Sequence, residues 1–335
     1  MSEFRWGLLG PGRIAHKFAE VATRLPGSTL ALVHGRTPER AAAFAERWGA
    51  RAVPTAEALL QGGAVDAVYI ATPHSEHAAL ATQCLMAGVP VLCEKPLVAT
   101  AEQARALVAL ARQRRVFLME ALWTRFLPLY AQLGRWLREG AIGELHAVHS
   151  SFCFHAPFEP ASRLFDPALA GGALLDVGIY NLAMSRWAFE ATYGQAPQTL
   201  HAQAHGLLAP TGVDQRVHAT LCFEREVTAQ FTCALDTQSA NALELLGSAG
   251  SIVVPHLFWH GPEAALWRGR ECVQRIEGQD RINGFEGQVQ AAMVAIREGR
   301  GECPGMPLDE SLALAETLQA LRQQLGVRYP FDAAG

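Results

Sequence analysis

The feature that most constrains this chain is the turn Gly10-Pro11-Gly12-Arg13-Ile14-Ala15, set between an apolar run, Trp6–Leu9, and a stretch of helical periodicity, Ile14–Thr23. A strand that breaks at a glycine turn and re-enters the chain as a helix is the opening half of a βαβ unit. Gly10 permits the tight turn, and Gly12 lets the backbone approach a pyrophosphate. Ala15, in the third small position, keeps the helix close to the sheet, while the helix N-terminus offers N–H groups and partial positive charge. The same alternation continues. Strand-like runs at Leu30–His34, Ala67–Ala71, Val89–Cys93 and Val116–Met119 are separated by helical stretches at Pro38–Trp48, Glu76–Ala87 and Ala101–Arg114. Alternation of this kind predicts a parallel sheet wrapped by right-handed crossovers.

The end of the second strand should carry the cofactor choice. An acid there bonds the ribose hydroxyls of NAD, whereas an arginine accommodates the 2′-phosphate of NADP. This chain reads Gly35-Arg36-Thr37-Pro38-Glu39-Arg40. Glycine occupies the acidic position, and Arg36, Thr37 and Arg40 supply a planar fork, a hydroxyl and a second charge. NADP is therefore expected, with NAD the alternative.

After Trp123 the rhythm changes. A helix at Leu129–Glu139 leads into longer β-like runs at His146–Phe154, Leu200–Leu208, Val217–Phe223, Val227–Leu235 and Ala242–Leu246. Helices interrupt them at Ala173–Phe189 and Phe285–Glu298, and another closes the chain at Leu308–Leu325. These runs, with helices between them, predict a mostly antiparallel sheet. At 335 residues two domains are the prior, and the change of periodicity places them at residues 1–122 and 123–335. A net charge of −4 with no Lys/Arg run argues against nucleic acid and membrane surfaces as partners. Seven scattered cysteines without a Cys-x-x-Cys pair read as reduced thiols. With no export signal and no apolar stretch approaching a membrane span, a cytoplasmic protein is expected.

Three further segments carry chemistry. Thr72-Pro73-His74-Ser75-Glu76-His77 and Glu94-Lys95-Pro96 each follow an apolar strand, and so reach the crevice beyond the strand ends. His74 and His77 lack further ligands nearby and read better as helix-start polar residues, so no metal is expected; His77 could still line the nicotinamide side. Gly171-Gly172-Ala173-Leu174-Leu175-Asp176-Val177-Gly178-Ile179-Tyr180 places Asp176 and Tyr180 one turn apart if the segment is helical.

In order and spacing, Gly10–Ala15, Thr72-Pro73, Glu94-Lys95-Pro96 and the Gly-Gly-x3-Asp-x-Gly-x-Tyr run resemble the glucose–fructose oxidoreductase / inositol dehydrogenase family over nearly the whole chain. Met119-Glu120-Ala121-Leu122-Trp123-Thr124-Arg125-Phe126 and Ser162-Arg163-Leu164-Phe165-Asp166-Pro167 look most like the branch of dimeric dihydrodiol dehydrogenases and NADP-dependent D-xylose dehydrogenases. Inositol dehydrogenase-like members usually carry His where this chain has Tyr180, and His74 replaces a frequent asparagine. The resemblance implies an α/β fold: an N-terminal Rossmann parallel sheet, and a C-terminal α+β domain with a large, mostly antiparallel open sheet through which a homodimer forms; an uncovered apolar sheet face would need such a partner.

The expected reaction is hydride transfer between nicotinamide and a secondary alcohol of a vicinal diol or sugar: an arene trans-dihydrodiol, a D-xylose-like aldose, or an inositol-type polyol. Tyr180 is assigned as general acid/base. A tyrosinate at neutral pH requires a shift of about three units, or about 4 kcal/mol, and a nearby ammonium such as Lys95 is a source for it. Lysine as the base is the competing assignment. Asp176 would orient the substrate or Lys95, and Glu94 would support the loop beside the cofactor. Trp123, Phe126, Phe154, Phe158 and Phe165 could wall the pocket or belong to the core, and Arg125 and Arg163 could bind hydroxyls or form structural ion pairs. A dinucleotide-sensing regulator of the same fold is the non-enzymatic alternative.

Overall fold

The computed structural model describes residues 3–279 and 281–332. The chain forms two compact units, Met1–Trp123 with Arg281–Ala315, and Thr124–Asp280 with Glu316–Gly335. The first unit alternates strand and helix: β1 (Phe4–Leu9), α1 (Arg13–Arg24), β2 (Ser28–His34), α2 (Pro38–Trp48), β3 (Arg51–Ala52), α3 (Ala56–Leu60), β4 (Ala67–Ile70), α4 (His74–Met86), β5 (Val91–Glu94), α5 (Ala101–Arg114) and β6 (Leu118–Ala121). All pairings are parallel, in the order β3-β2-β1-β4-β5-β6. From β1 the chain winds outward to β2 and β3, then returns to build β4 to β6 on the other side. The exits of β1 and β4 therefore flank the point where the winding reverses, where open α/β sheets bind ligands. β4, β5 and β6 are buried at every position, which is why, apart from Glu94 and Glu120, they read as apolar runs.

The second unit contains α6 (Pro128–Arg138), β7 (Leu145–Cys153), a π-helical turn (Leu174–Gly178) running into α7 (Ile179–Tyr193), and then β8 (Thr199–Leu208), β9 (Asp214–Phe223), β10 (Thr228–Ala234), β11 (Leu243–Gly247), β12 (Ser251–Val254), β13 (Glu263–Arg268) and β14 (Glu271–Glu277). These eight strands form one sheet, β14-β13-β12-β11-β7-β10-β9-β8, antiparallel except where β7 meets β10. Helix α7 is buried on all sides from Ile179 to Phe189, the mark of a core helix. It packs on one face of the sheet, where Asn181 Nδ2 donates to Ser150 Oγ at 2.9 Å. The helical run Pro167–Tyr193 has the length and apolarity of a membrane span. This corrects the expectation that no segment approaches one, although 89% of its most apolar window is buried within the fold.

Successive side chains of a strand point to opposite faces, so the register defines what the other face carries. One row across it reads Gln203, Thr220, Gln230, His149 and Glu244; the next reads His205, His218, Thr232 and Ser151. The expected apolar sheet face is thus polar and rich in histidine.

The sequence placed everything after residue 122 in the second domain, whereas 281–315 packs with the first unit. Asn283 Nδ2 donates to Lys17 O at 2.9 Å and to Glu20 Oε2 at 3.0 Å. Phe285, at the start of α8 (Glu286–Arg297), packs on Trp123 at 5.3 Å, with Lys17 Nζ over both rings. Leu308, which opens α9 (Leu308–Gln324), belongs to the core around β4 and β5. Elements unread in the sequence are β3, α3 and β12 to β14. β3, α3 and β12 are too short for a period to repeat, β13 buries one unbroken run rather than alternate residues, and β14 is almost wholly exposed at a sheet edge.

Candidate functional site

At the exit of β1, Gly10 has φ +91°. A Cβ there would lie 2.8 Å from the Ala71 carbonyl and from Thr72 Cγ2. Both backbone conformation and the close approach of the β4 exit loop therefore require glycine. Gly12 differs. Its φ of −91° suits any residue, and an added Cβ would meet nothing closer than Ala71 O at 3.9 Å. The fold does not need a glycine here. Its missing side chain leaves open space before the first turn of α1, which receives no side-chain cap. That cradle fits the pyrophosphate of a dinucleotide, held by the turn and by the N–H groups at Arg13 and Ile14.

At the exit of β2 a Cβ on Gly35 would lie 2.5 Å from Pro11 Cδ. An acidic side chain cannot occupy that position unless the glycine turn moves. Arg36, Thr37 and Arg40 are exposed. Thr37 precedes α2 without using its hydroxyl as a cap, and neither arginine has an acidic partner among the described residues.

The β4 and β5 exits are tied together. His77, one turn into α4, is fully buried, with Nδ1 2.8 Å from Pro96 O and Nε2 3.0 Å from Thr72 O. Burial first, and then the Lys95 charge, push its pKa below the usual imidazole range. The neutral ring has one N–H to donate to one of the two carbonyls. His77 was expected to line the nicotinamide; its enclosed ring instead fastens the Thr72-Pro73 loop to the Lys95-Pro96 turn. Glu94 is buried and accepts from the Tyr69 hydroxyl and, at 3.3 Å, from the Lys95 N–H. Glu120, also buried, accepts the Leu97 N–H at 2.8 Å. The Lys95–Pro96 bond is cis, and Lys95 itself is half-buried. Carboxylates from β5 and β6 thus anchor the backbone on either side of this lysine. The sequence reading missed Glu120 as an anchor; an acid inside a strand otherwise buried throughout was the signal.

In the second unit the segment from Ala173 is helical as expected, but its first turn has π geometry, a distortion common near functional sites. Asp176 lies within that turn and accepts from Arg163 Nη1 at 2.9 Å. The Asp176 side chain is 7% exposed and that of Arg163 57%. Tyr180 follows in the first turn of α7, its ring 5.5 Å from Phe152, which stacks on Trp259 at 3.4 Å. Neither Phe152 nor Trp259 was singled out. Phe152 shares strand parity with Val148 and Ser150, on the face toward α7, and that was the legible signal.

The aromatic candidates disperse. Trp123 is buried against Phe285. Phe126 and Phe154 are half-buried. Phe165 is buried and meets the exposed Phe158 edge-on at 5.1 Å. Of the two readings left open for Arg125, the structure records the ion pair: its side chain is 2% exposed and bound to Glu190 within the second unit. Among the described residues no group of three His, Cys, Asp or Glu could hold a metal.

Residues 4–122 match the family described as "Oxidoreductase family, NAD-binding Rossmann fold", and residues 130–253 match the GFO/IDH/MocA C-terminal domain. The chain is 34% identical to the trans-1,2-dihydrobenzene-1,2-diol dehydrogenase of Homo sapiens over 340 residues, and 35% identical to that of Mus musculus over 337, covering 98% of each protein in both cases. Among solved structures it resembles KijD10, a 3-ketoreductase from Actinomadura kijaniata in complex with NADP and TDP-benzene, at 27% identity and a TM-score of 0.84, covering 96% of this chain and 98% of that one. It also resembles GenD2 from gentamicin A biosynthesis, in complex with NAD, at 25% identity and a TM-score of 0.83, covering 97% and 95%. The chain belongs to the GFO/IDH/MocA oxidoreductase family, as an NAD(P)-binding member closely related to trans-dihydrodiol dehydrogenases and ketoreductases.

Proposed function

We propose that this chain is an NADP-dependent dehydrogenase of a secondary alcohol in a vicinal diol or sugar, with arene trans-dihydrodiols and D-xylose-like aldoses as the leading substrates. The observation that carries the reading is the Tyr180 segment. A tyrosine beside the Phe152–Trp259 stack follows, within one helical run, an aspartate held by Arg163. Aromatic faces suit both an arene ring and the apolar face of a sugar. Relatives 34–35% identical along nearly their whole length carry the dihydrodiol dehydrogenase name. For NADP the support is local: Pro11 blocks an acid at position 35, and Arg36, Thr37 and Arg40 stand exposed beside it.

Bound nicotinamide supplies the hydride chemistry. The protein's task is to hold and deprotonate the alcohol. Tyr180 removes the hydroxyl proton, Lys95 stabilises the tyrosinate and binds the substrate oxygen, and Asp176, aligned by Arg163, orients the neighbouring hydroxyl. Arg125, Trp123 and His77 have no direct part in this reading. Tyr180→Phe and Lys95→Met separate the two candidate bases. Near-normal turnover in Tyr180→Phe would transfer the role to Lys95. Dinucleotide binding without turnover of any diol, aldose or inositol would favour the sensing role instead.

The assembly that accompanies this reading is a homodimer in which a second copy covers the polar sheet face around His149, His218 and Gln230. Hydrogen-bonding side chains on adjacent strands give that face the means to pair with its own copy.

A further inference from the structure

The Asp176–Tyr180 segment begins without a local cap: no side chain next to the π turn bonds its first N–H groups. The cap arrives from far along the chain. Asp214, the first residue of β9, is fully buried, and its Oδ2 accepts the Leu174 N–H at 2.6 Å. The Ala173 N–H also acts on this carboxylate. Gly172 makes the approach possible. It stands at φ +124°, and a Cβ on it would lie 2.3 Å from Asp214 Oδ1.

A second fastening reaches the same turn from the C-terminal segment. The Tyr329 hydroxyl donates to Gly171 O at 2.6 Å. Its ring lies under the Arg322 guanidinium at 4.3 Å, and Arg322 is fixed by two hydrogen bonds to Asp332, at 2.6 and 2.8 Å. The Arg322 charge also acts on Asp214. Asp214, Tyr329 and Arg322 are each buried. Two remote elements, the start of β9 and the turn at 329–332, therefore converge on Gly171–Leu174 immediately before the residues assigned to acid/base chemistry.

We infer that Asp214 and Tyr329 are positioning residues that set the π turn, and through it the placement of Asp176 and Tyr180. This inference rests on the acid/base reading of Tyr180 given above. A fixed backbone before the turn leaves Asp176 and Tyr180 one arrangement, and catalysis is sensitive to misplacement of the reacting group on the ångström scale. A cap supplied by β9 and the C-terminal segment makes that arrangement depend on residues that never meet the substrate.

The test uses the full-length protein with Tyr329→Phe, Asp214→Ala and Asp214→Asn, read by amide hydrogen exchange, by kinetics and by thermal melting. Tyr329→Phe keeps the ring under Arg322 and removes only the hydroxyl. Asp214→Asn keeps an oxygen for the Leu174 N–H. Exchange of the Leu174–Tyr180 amides should quicken at least tenfold in Asp214→Ala and Tyr329→Phe, and return toward the parent rate in Asp214→Asn. With the most active diol or sugar, kcat should fall about tenfold in the first two, the loss expected for one hydrogen bond. The NADP dissociation constant should stay within twofold, and the pH profile of kcat should shift. Unchanged exchange in both variants overturns the inference. Altered exchange and lowered melting temperature with unchanged kcat and pH profile also overturn it, since the cap would then serve only stability. Normal turnover in Tyr180→Phe would count against the acid/base reading alone, because exchange still reports whether the cap holds the turn.

Discussion

Asp214 offers a prediction with a sign and a size. Its carboxyl is fully enclosed, and burial pushes its pKa from an ordinary 3.8 up to about 7, against the pull of the Leu174 N–H. The folded protein thus keeps a proton that the unfolded chain releases near pH 4. Between those values the unfolded state binds fewer protons, so stability falls as pH rises through about 4 to 7 and levels off above. A difference of about three units corresponds to about 4 kcal/mol in full. Between pH 5 and pH 8 about 3 kcal/mol of it should be lost. Asp214→Asn retains the shape and an acceptor but cannot ionise. Urea denaturation followed by tryptophan fluorescence should show the parent losing about 3 kcal/mol relative to Asp214→Asn between pH 5 and pH 8. The variant should therefore gain on the parent at the alkaline end. Parallel stability curves, differing by less than about 1 kcal/mol across that range, would refute the argument, because a carboxylate that stays ionised on folding contributes no such slope.

Other consequences can be checked alongside it. Gly12→Ala should leave the melting temperature unchanged and weaken dinucleotide binding more than tenfold by calorimetry, because its Cβ, beyond its own chain neighbours, meets nothing closer than Ala71 O at 3.9 Å but enters the pyrophosphate cradle. Gly10→Ala should lower the melting temperature, since its Cβ falls 2.8 Å from the Ala71 carbonyl. Arg36→Ala should raise the KM for NADP about tenfold or more and leave that for NAD nearly constant, shifting the ratio of kcat/KM toward NAD. In sedimentation velocity the parent should run as a dimer, and a Gln230→Glu, His218→Glu double variant should run as a monomer, because like charges would meet across a two-fold sheet contact.

The glycine turn at Gly10 and the mainly apolar strands made the first unit legible, because a buried parallel sheet writes its burial straight into composition. The motif residues Asp176 and Tyr180 were legible through their spacing. Their surroundings were not. Asp214 meets Leu174 across 40 residues of chain, and Tyr329 meets Gly171 across 158; no local period records such contacts. That His77 and Arg125 are each buried and bound within their own unit was likewise invisible in the sequence, because polar residues beside a motif carry no record of burial. The segment 281–315 kept the helical periodicity of a surface helix without declaring which sheet it covers. An amphipathic stripe specifies that a partner exists, not which one. The polar sheet face was hidden for a related reason: alternation along β8 to β10 was visible, but which parity faced α7 required the register.

The central claim is that this protein moves hydride between NADP and a secondary alcohol with Tyr180 as the acid/base. The most direct test follows the near-ultraviolet absorbance of reduced nicotinamide. Parent and Tyr180→Phe proteins are incubated with NADP and a panel of arene trans-dihydrodiols, aldoses and inositols. The account predicts turnover of a dihydrodiol or a D-xylose-like aldose by the parent, and a loss of about 100-fold or more in Tyr180→Phe with NADP binding intact. Tight NADP binding with no turnover of any member of the panel, or equal turnover by both proteins, would contradict it.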